Sequence, residues 1–120
     1  MKKSIYVVED NDDIRELIVY LLEVEAYEVQ GFATATLFAD QMKIANPDLI
    51  VLDVMLPDGN GVAICSKLKS KEDTQQIPVL LMSANTNVAN IIQESSANDF
   101  MSKPFDIDNL IERVKLLLNS

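Results

Sequence analysis

The chain has 120 residues, close to the commonest domain size, so one domain spanning residues 1–120 around one core is expected. Its 48% hydrophobic and 24% charged residues match an ordinary globular composition, and no apolar run approaches the roughly 20 residues of a membrane helix. A net charge of −9 repels nucleic-acid phosphates, which argues against direct nucleic-acid binding, and the absence of histidine removes every Ser-His, Cys-His and His-ligated metal arrangement. The single cysteine, Cys65, precludes an internal disulfide and suits a reducing compartment. The apolar stretch after Met-Lys-Lys ends at Val8 and runs into Glu9-Asp10, so it lacks a signal-peptide core and a cytoplasmic location is expected.

In chain order, Ile5-Tyr6-Val7-Val8 is a continuous β-prone run followed by Glu-Asp-Asn-Asp. Ile14, Leu17, Ile18, Leu21 and Leu22 then recur at helical spacing, with Asn11 or Asp12 as the cap and Asp12, Asp13 and Glu16 near the positive helix end. Residues 28–32 read as a second strand, and residues 36–45 as a helix stopped by Asn46-Pro47. Leu49-Ile50-Val51-Leu52 is the clearest buried strand, because no polar residue interrupts it before Asp53. Residues 57–61 form a loop by composition, and a third helix runs from Val62 to about Lys69. Lys67, Lys69 and Lys71 read as the solvated end of that helix, and Cys65 as a buried structural thiol. Pro78–Met82 is another apolar run, closed by Ser83. A weak helix over 87–95, a short strand at Phe100-Met101 and a last helix after Asp106 complete the chain.

Alternating strand–helix units with wholly apolar strands predict an α/β fold: a parallel sheet covered by helices on both faces. Functional groups in such sheets gather at the carboxyl ends of the strands. Glu9 and Asp10, Asp53, Ser83 and Lys103 occupy those ends after the first, third, fourth and fifth runs. Three neighbouring carboxylates repel one another, and an oxygen-only cluster of this kind suits a hard divalent cation such as Mg²⁺. Taken singly, each has a structural reading: a strand-end acid as a helix cap, Ser83 as a turn residue, Lys103 as a solvated loop lysine. Asp53 has none, because a charge ending a four-residue apolar run would be costly to bury unpaired. A carboxylate can attack a phosphoryl group and hold it as an acyl phosphate, with cationic groups stabilising the charge and a hydroxyl sensing the product.

Four segments carry a family resemblance. The run from Val51 through Asp53 to Gly61 resembles the phosphorylation segment of bacterial response regulator receiver domains, and Val7-Val8-Glu9-Asp10-Asn11 their acidic pair. Leu81-Met82-Ser83-Ala84 is similar to their switch-hydroxyl segment, and Lys103-Pro104-Phe105 to their lysine–proline motif. The resemblance covers essentially the whole chain. It implies a doubly wound (βα)5, flavodoxin-like domain with strand order 2-1-3-4-5. It also implies that Asp53 accepts phosphate from a histidine kinase or phosphotransfer protein, and that the domain assists its own phosphorylation and dephosphorylation rather than acting as an enzyme. Glu9, Asp10, Asp53 and the Met55 backbone carbonyl are the implied ligands of Mg²⁺, with Mn²⁺ as a substitute. Ser83 and Lys103 are the implied phosphoryl contacts, Phe100 the rotating aromatic, and Pro104 the residue after a cis peptide. Output is implied at the surface of the fourth helix, fifth strand and fifth helix, which dimerises or meets a partner. The chain is expected to be a single-domain regulator or the N-terminal receiver of a longer, DNA-binding one.

Some positions depart from the family pattern: Glu9 replaces an aspartate, Phe100 a tyrosine, and Ser96 a glycine, while Met55 and Asn85 hold positions that tune acyl-phosphate lifetime. Two rival readings remain. A haloacid dehalogenase-like phosphatase needs a second Asp two residues past the nucleophile, where this chain has Met55. A flavodoxin-like flavin binder needs a Ser/Thr/Gly-rich loop where this chain has Glu9-Asp10-Asn11-Asp12.

Overall fold

The computed structural model describes residues 2–84, 93 and 95–119. Strands β1 (Ser4–Val8), β2 (Glu28–Phe32), β3 (Leu49–Asp53), β4 (Val79–Ser83) and β5 (Asp99–Ser102) form one sheet of order β2-β1-β3-β4-β5, with every pairing parallel. Helices α1 (Asp12–Val24), α2 (Ala35–Met42) and α3 (Gly61–Lys69) connect the first strands, and a C-terminal helix spans Ile107–Leu118. The helix expected over 87–95 falls mostly outside the described residues.

The sheet separates two apolar layers, and strand alternation decides which side chain enters which. Tyr6, Val8, Ile50, Leu52, Val79 and Leu81 face α2 and α3, where they meet Phe38 and Cys65. Ile5, Val7, Leu49, Val51, Leu80 and Met82 face α1 and the C-terminal helix, where they meet Ile18, Leu22, Leu110 and Val114. Both faces of β1, β3 and β4 are therefore buried, which is why these strands are continuous apolar runs.

Capping side chains set the helix starts. The side-chain oxygens of Asn11, Thr34, Asn60 and Asp106 accept from Ile14 N, Leu37 N, Val62 N and Asp108 N at 2.9, 3.1, 2.8 and 2.8 Å. Helix α2 begins slightly earlier than the 36–45 span expected and ends three residues sooner. Beyond Met42 the chain tightens, with Ile44 N donating to Gln41 O, and the Ala45 carbonyl turns to the Tyr6 hydroxyl at 2.9 Å. Helix α1 ends in a Schellman turn: Ala26 N bonds to Glu23 O, Tyr27 N to Leu22 O, and Ala26 takes the left-handed conformation at φ 71°. Ser96, standing where a glycine is common in the family, is also left-handed at φ 60°. The loop expected over 57–61 is more ordered than its composition suggests. Met55–Leu56 pairs antiparallel with Gly59–Asn60 in a small ribbon, and α3 starts at Gly61.

Candidate functional site

Strand β3 carries its last residue, Asp53, to the carboxyl edge of the sheet, where only 4% of the residue is exposed. Strand β1 lies beside β3 with Val8 opposite Leu52, so Glu9 emerges next to Asp53. Glu9 is 1% exposed, whereas Asp10 faces solvent. One carboxylate oxygen from each of Glu9, Asp10 and Asp53 lies within 4.8 Å of the others.

The compensating charge comes from the far end of the chain. Lys103 follows β5, and its backbone N–H donates to the Ser83 carbonyl at 2.9 Å, which pins the loop across the end of β4. The Lys103–Pro104 peptide is cis and redirects the chain there. The Lys103 ammonium then reaches inward, donating to Asp53 Oδ2 at 2.9 Å and to Glu9 Oε1 in a short contact. Burial pulls the pKa of this ammonium down, but hydrogen bonds and charge attraction from Glu9 and Asp53 outweigh it, so the pKa sits above the ordinary lysine value. Glu9 Oε2 also accepts from Asn11 N at 3.1 Å, and Asp53 Oδ1 from Met55 N at 3.3 Å. Both buried carboxylates are thus paired with an ammonium and hydrogen-bonded, the condition under which buried charge is tolerated.

Ser83 ends β4 and is buried, while Met55 in the ribbon leaves 77% of its surface exposed. Phe100 is buried with the α2/α3 layer, and its carbonyl accepts from Arg113 Nη1 at 3.0 Å. The fold thus brings Glu9, Asp10, Asp53, Ser83 and Lys103 to one edge. Asn85 lies outside the described residues.

Three supporting residues escaped the sequence reading. Arg15 donates through Nη1 to the Glu9 carbonyl at 2.9 Å and fastens α1 to the acidic turn. Gly61 packs so tightly that a Cβ there would sit 2.2 Å from the Asp53 carbonyl oxygen. Asp58 accepts from Ala35 N, Thr36 N and Thr36 Oγ1 at 2.7, 2.9 and 2.6 Å, clasping the loop beyond Asp53 to the start of α2. These bonds hold its pKa below the usual 3.8, the Thr36 hydroxyl contributing most. A glycine-rich loop gave the only sequence signal, and only for Gly61.

Chemically, among the described residues, the edge offers oxygen donors and one ammonium with no nitrogen or sulfur ligand. Three carboxylates against one lysine leave it net negative. That donor set fits a hard divalent cation, and the buried Asp53 oxygen beside an ammonium suits an electron-rich acceptor of an anionic group.

Residues 5–115 match the response regulator receiver domain family. The chain is 35% identical over 116 residues to the DNA-binding dual master transcriptional regulator RpaA of Synechocystis, covering 95% of this chain and 48% of that protein. It is 34% identical over 119 residues to the transcriptional regulatory protein KdpE of Staphylococcus aureus, covering 98% and 50%. The chain therefore spans about half the length of the curated relatives it matches. Among solved structures, a response regulator from Chloroflexus aurantiacus superposes with a TM-score of 0.93 at 28% identity over the whole of both chains. Matching these proteins in fold and over nearly all of its own length, the chain belongs to the response regulator receiver domain family of two-component signalling.

Proposed function

We propose that Asp53 is the phosphoacceptor of this receiver domain. The observation that carries the assignment is the Lys103 ammonium held between Asp53 and Glu9 at a buried sheet edge, with Asp10 alongside. A carboxylate oxygen of Asp53 attacks the phosphorus of a phosphohistidine on a histidine kinase or phosphotransfer protein; the P–N bond breaks and an acyl phosphate forms. Lys103, already beside Asp53, offers its positive charge to the incoming phosphoryl oxygens, and Ser83 at the neighbouring strand end donates its hydroxyl once the group has arrived.

Glu9, Asp10, Asp53 and the Met55 carbonyl would hold Mg²⁺, or Mn²⁺ in its place. When bound, the ion supplies charge neutralisation for the phosphoryl oxygens. With these groups preassembled the domain assists its own phosphorylation and the later hydrolysis. The signal passes to the surface around β5 and the C-terminal helix, with Phe100 responding to the position of Ser83; that surface pairs with a second copy or a partner. The names of RpaA and KdpE support an output domain that regulates transcription in a longer protein. Met55 two residues past Asp53 leaves no carboxylic acid where a haloacid dehalogenase-like phosphatase requires one.

The test is incubation with acetyl phosphate and Mg²⁺, read by intact mass. Wild type gains one phosphoryl group and Asp53→Asn gains none. Equal labelling of the variant would refute the assignment.

A further inference from the structure

Away from the acidic edge, α2 and α3 enclose a groove of about 630 Å³ on the opposite side of the sheet from α1. Its volume falls in the range of small-molecule sites, roughly 300–1,000 Å³. The floor is apolar, formed by Phe38, Ile64 and Leu68. Hydrogen bonds fix the chain at two parts of its lining. At one, the Asp58 clasp on Ala35 and Thr36 fixes the start of α2. At the other, Asn46 Nδ2 donates to the Asp73 carbonyl at 3.1 Å, and Thr74 Oγ1 to the Leu68 carbonyl at 2.6 Å.

The rim is cationic on a strongly anionic protein. The chain has 10 basic against 19 acidic residues, yet Lys43, Lys67 and Lys71 converge here against one lining carboxylate, Asp73. Lys43 has only a long, exposed pairing to Asp40 at 3.8 Å, and neither Lys67 nor Lys71 forms an ion pair among the described residues. Lys69, between them in sequence, behaves differently: its ammonium bonds the Gln75 and Ile77 carbonyls and tethers the following loop. The basic cluster of the sequence thus divides into one structural lysine and two exposed ones that line an apolar groove.

We propose that the α2/α3 groove binds a small amphiphilic anion, with an apolar body on the Phe38–Ile64–Leu68 floor and a carboxylate head among Lys43, Lys67 and Lys71. Charge complementarity favours this occupant. A neutral apolar ligand would leave the lysines unused. The site stands apart from Asp53 and does not depend on its role.

The experiment is a titration of the 120-residue protein with decanoate below its micellar range, followed by amide NMR shifts. Decyltrimethylammonium, with the head charge reversed, is the control ligand. Decanoate is expected to give saturable shifts centred on Phe38, Ile64, Lys67 and Leu68, and the cationic amphiphile none there. Lys67→Glu/Lys71→Glu should weaken binding roughly tenfold or more. Lys2→Glu/Lys3→Glu, which changes net charge equally at exposed positions elsewhere, should leave it unchanged. Equal binding of both amphiphiles, shifts centred outside the groove, or identical effects of the two double variants would each overturn the proposal. All four substituted lysines are exposed, so both variants should keep wild-type amide dispersion.

Discussion

Lys103 is pulled in two directions: burial disfavours its charge, and two carboxylates demand it. The carboxylates win, because Glu9 and Asp53 are almost wholly buried and would otherwise repel each other across the end of the sheet. Replacing the ammonium while keeping most of the stem isolates that balance. Lys103→Met should lower the stability of the metal-free protein by about 3 kcal/mol at neutral pH, since it leaves buried charge uncompensated. Urea unfolding measures this, and a variant as stable as wild type would show that the edge tolerates its negative charge unaided. Mg²⁺ should then restore more stability to the variant than it adds to wild type, because the ion takes over the missing positive charge. Asp53 itself was legible from one dimension, as a charge closing an apolar run with no cap to explain it. Its contact with Lys103 was not, for the two are 50 positions apart, and Glu9 and Lys103 are 94 apart.

At the scale of elements, the clasp between Asp58 and α2 shows how a loop is tied to a helix that precedes it in the chain by more than 20 residues. The carboxylate occupies the start of α2, where N–H groups lack helical partners. Its folded-state pKa lies below the unfolded value of 3.8, so its contribution is full above that value and disappears as pH falls through the lower folded one. Asp58→Ala should therefore unfold at lower urea than wild type at neutral pH, and the two midpoints should converge as pH drops below 3.8. A gap that stays constant into strong acid would mean the charge is not what holds the clasp. The helix boundaries follow the same logic. Asn11, Thr34, Asn60 and Asp106 are local caps, and the starts of α1 and the last helix could be read from sequence. The early end of α2 could not, because the Tyr6 hydroxyl that takes the Ala45 carbonyl arrives from β1.

Across the whole molecule, two apolar layers share one sheet, and Cys65 lies fully buried in the layer under α2 and α3. Burial raises its thiol pKa to about 11, only partly offset by the charge of Lys69 and a hydrogen bond with Ser95. Native protein should therefore react very slowly with a disulfide reagent at pH 8, and the rate should rise through the urea transition in step with unfolding. Fast labelling below the transition would mean that this layer opens locally. The parallel order β2-β1-β3-β4-β5 also explains why the site lies where it does. Every pairing is parallel, so all five strands run in one direction and each delivers its following residue to the same edge.

Apolar runs, helical spacing and local caps determined by themselves that this chain alternates strands and helices, that its central strands are buried on both faces, and that Asp53 is exceptional. Those signals are encoded in near neighbours and survive without any knowledge of the partner strand. Tertiary structure alone decided that Lys103 bridges Glu9 and Asp53, that Asp58 holds α2, that Gly61 admits no side chain, and that Lys67 and Lys71 border a groove while Lys69 does not. Each of these depends on which strands and helices become neighbours and in what register, and that is set by packing across the whole sheet.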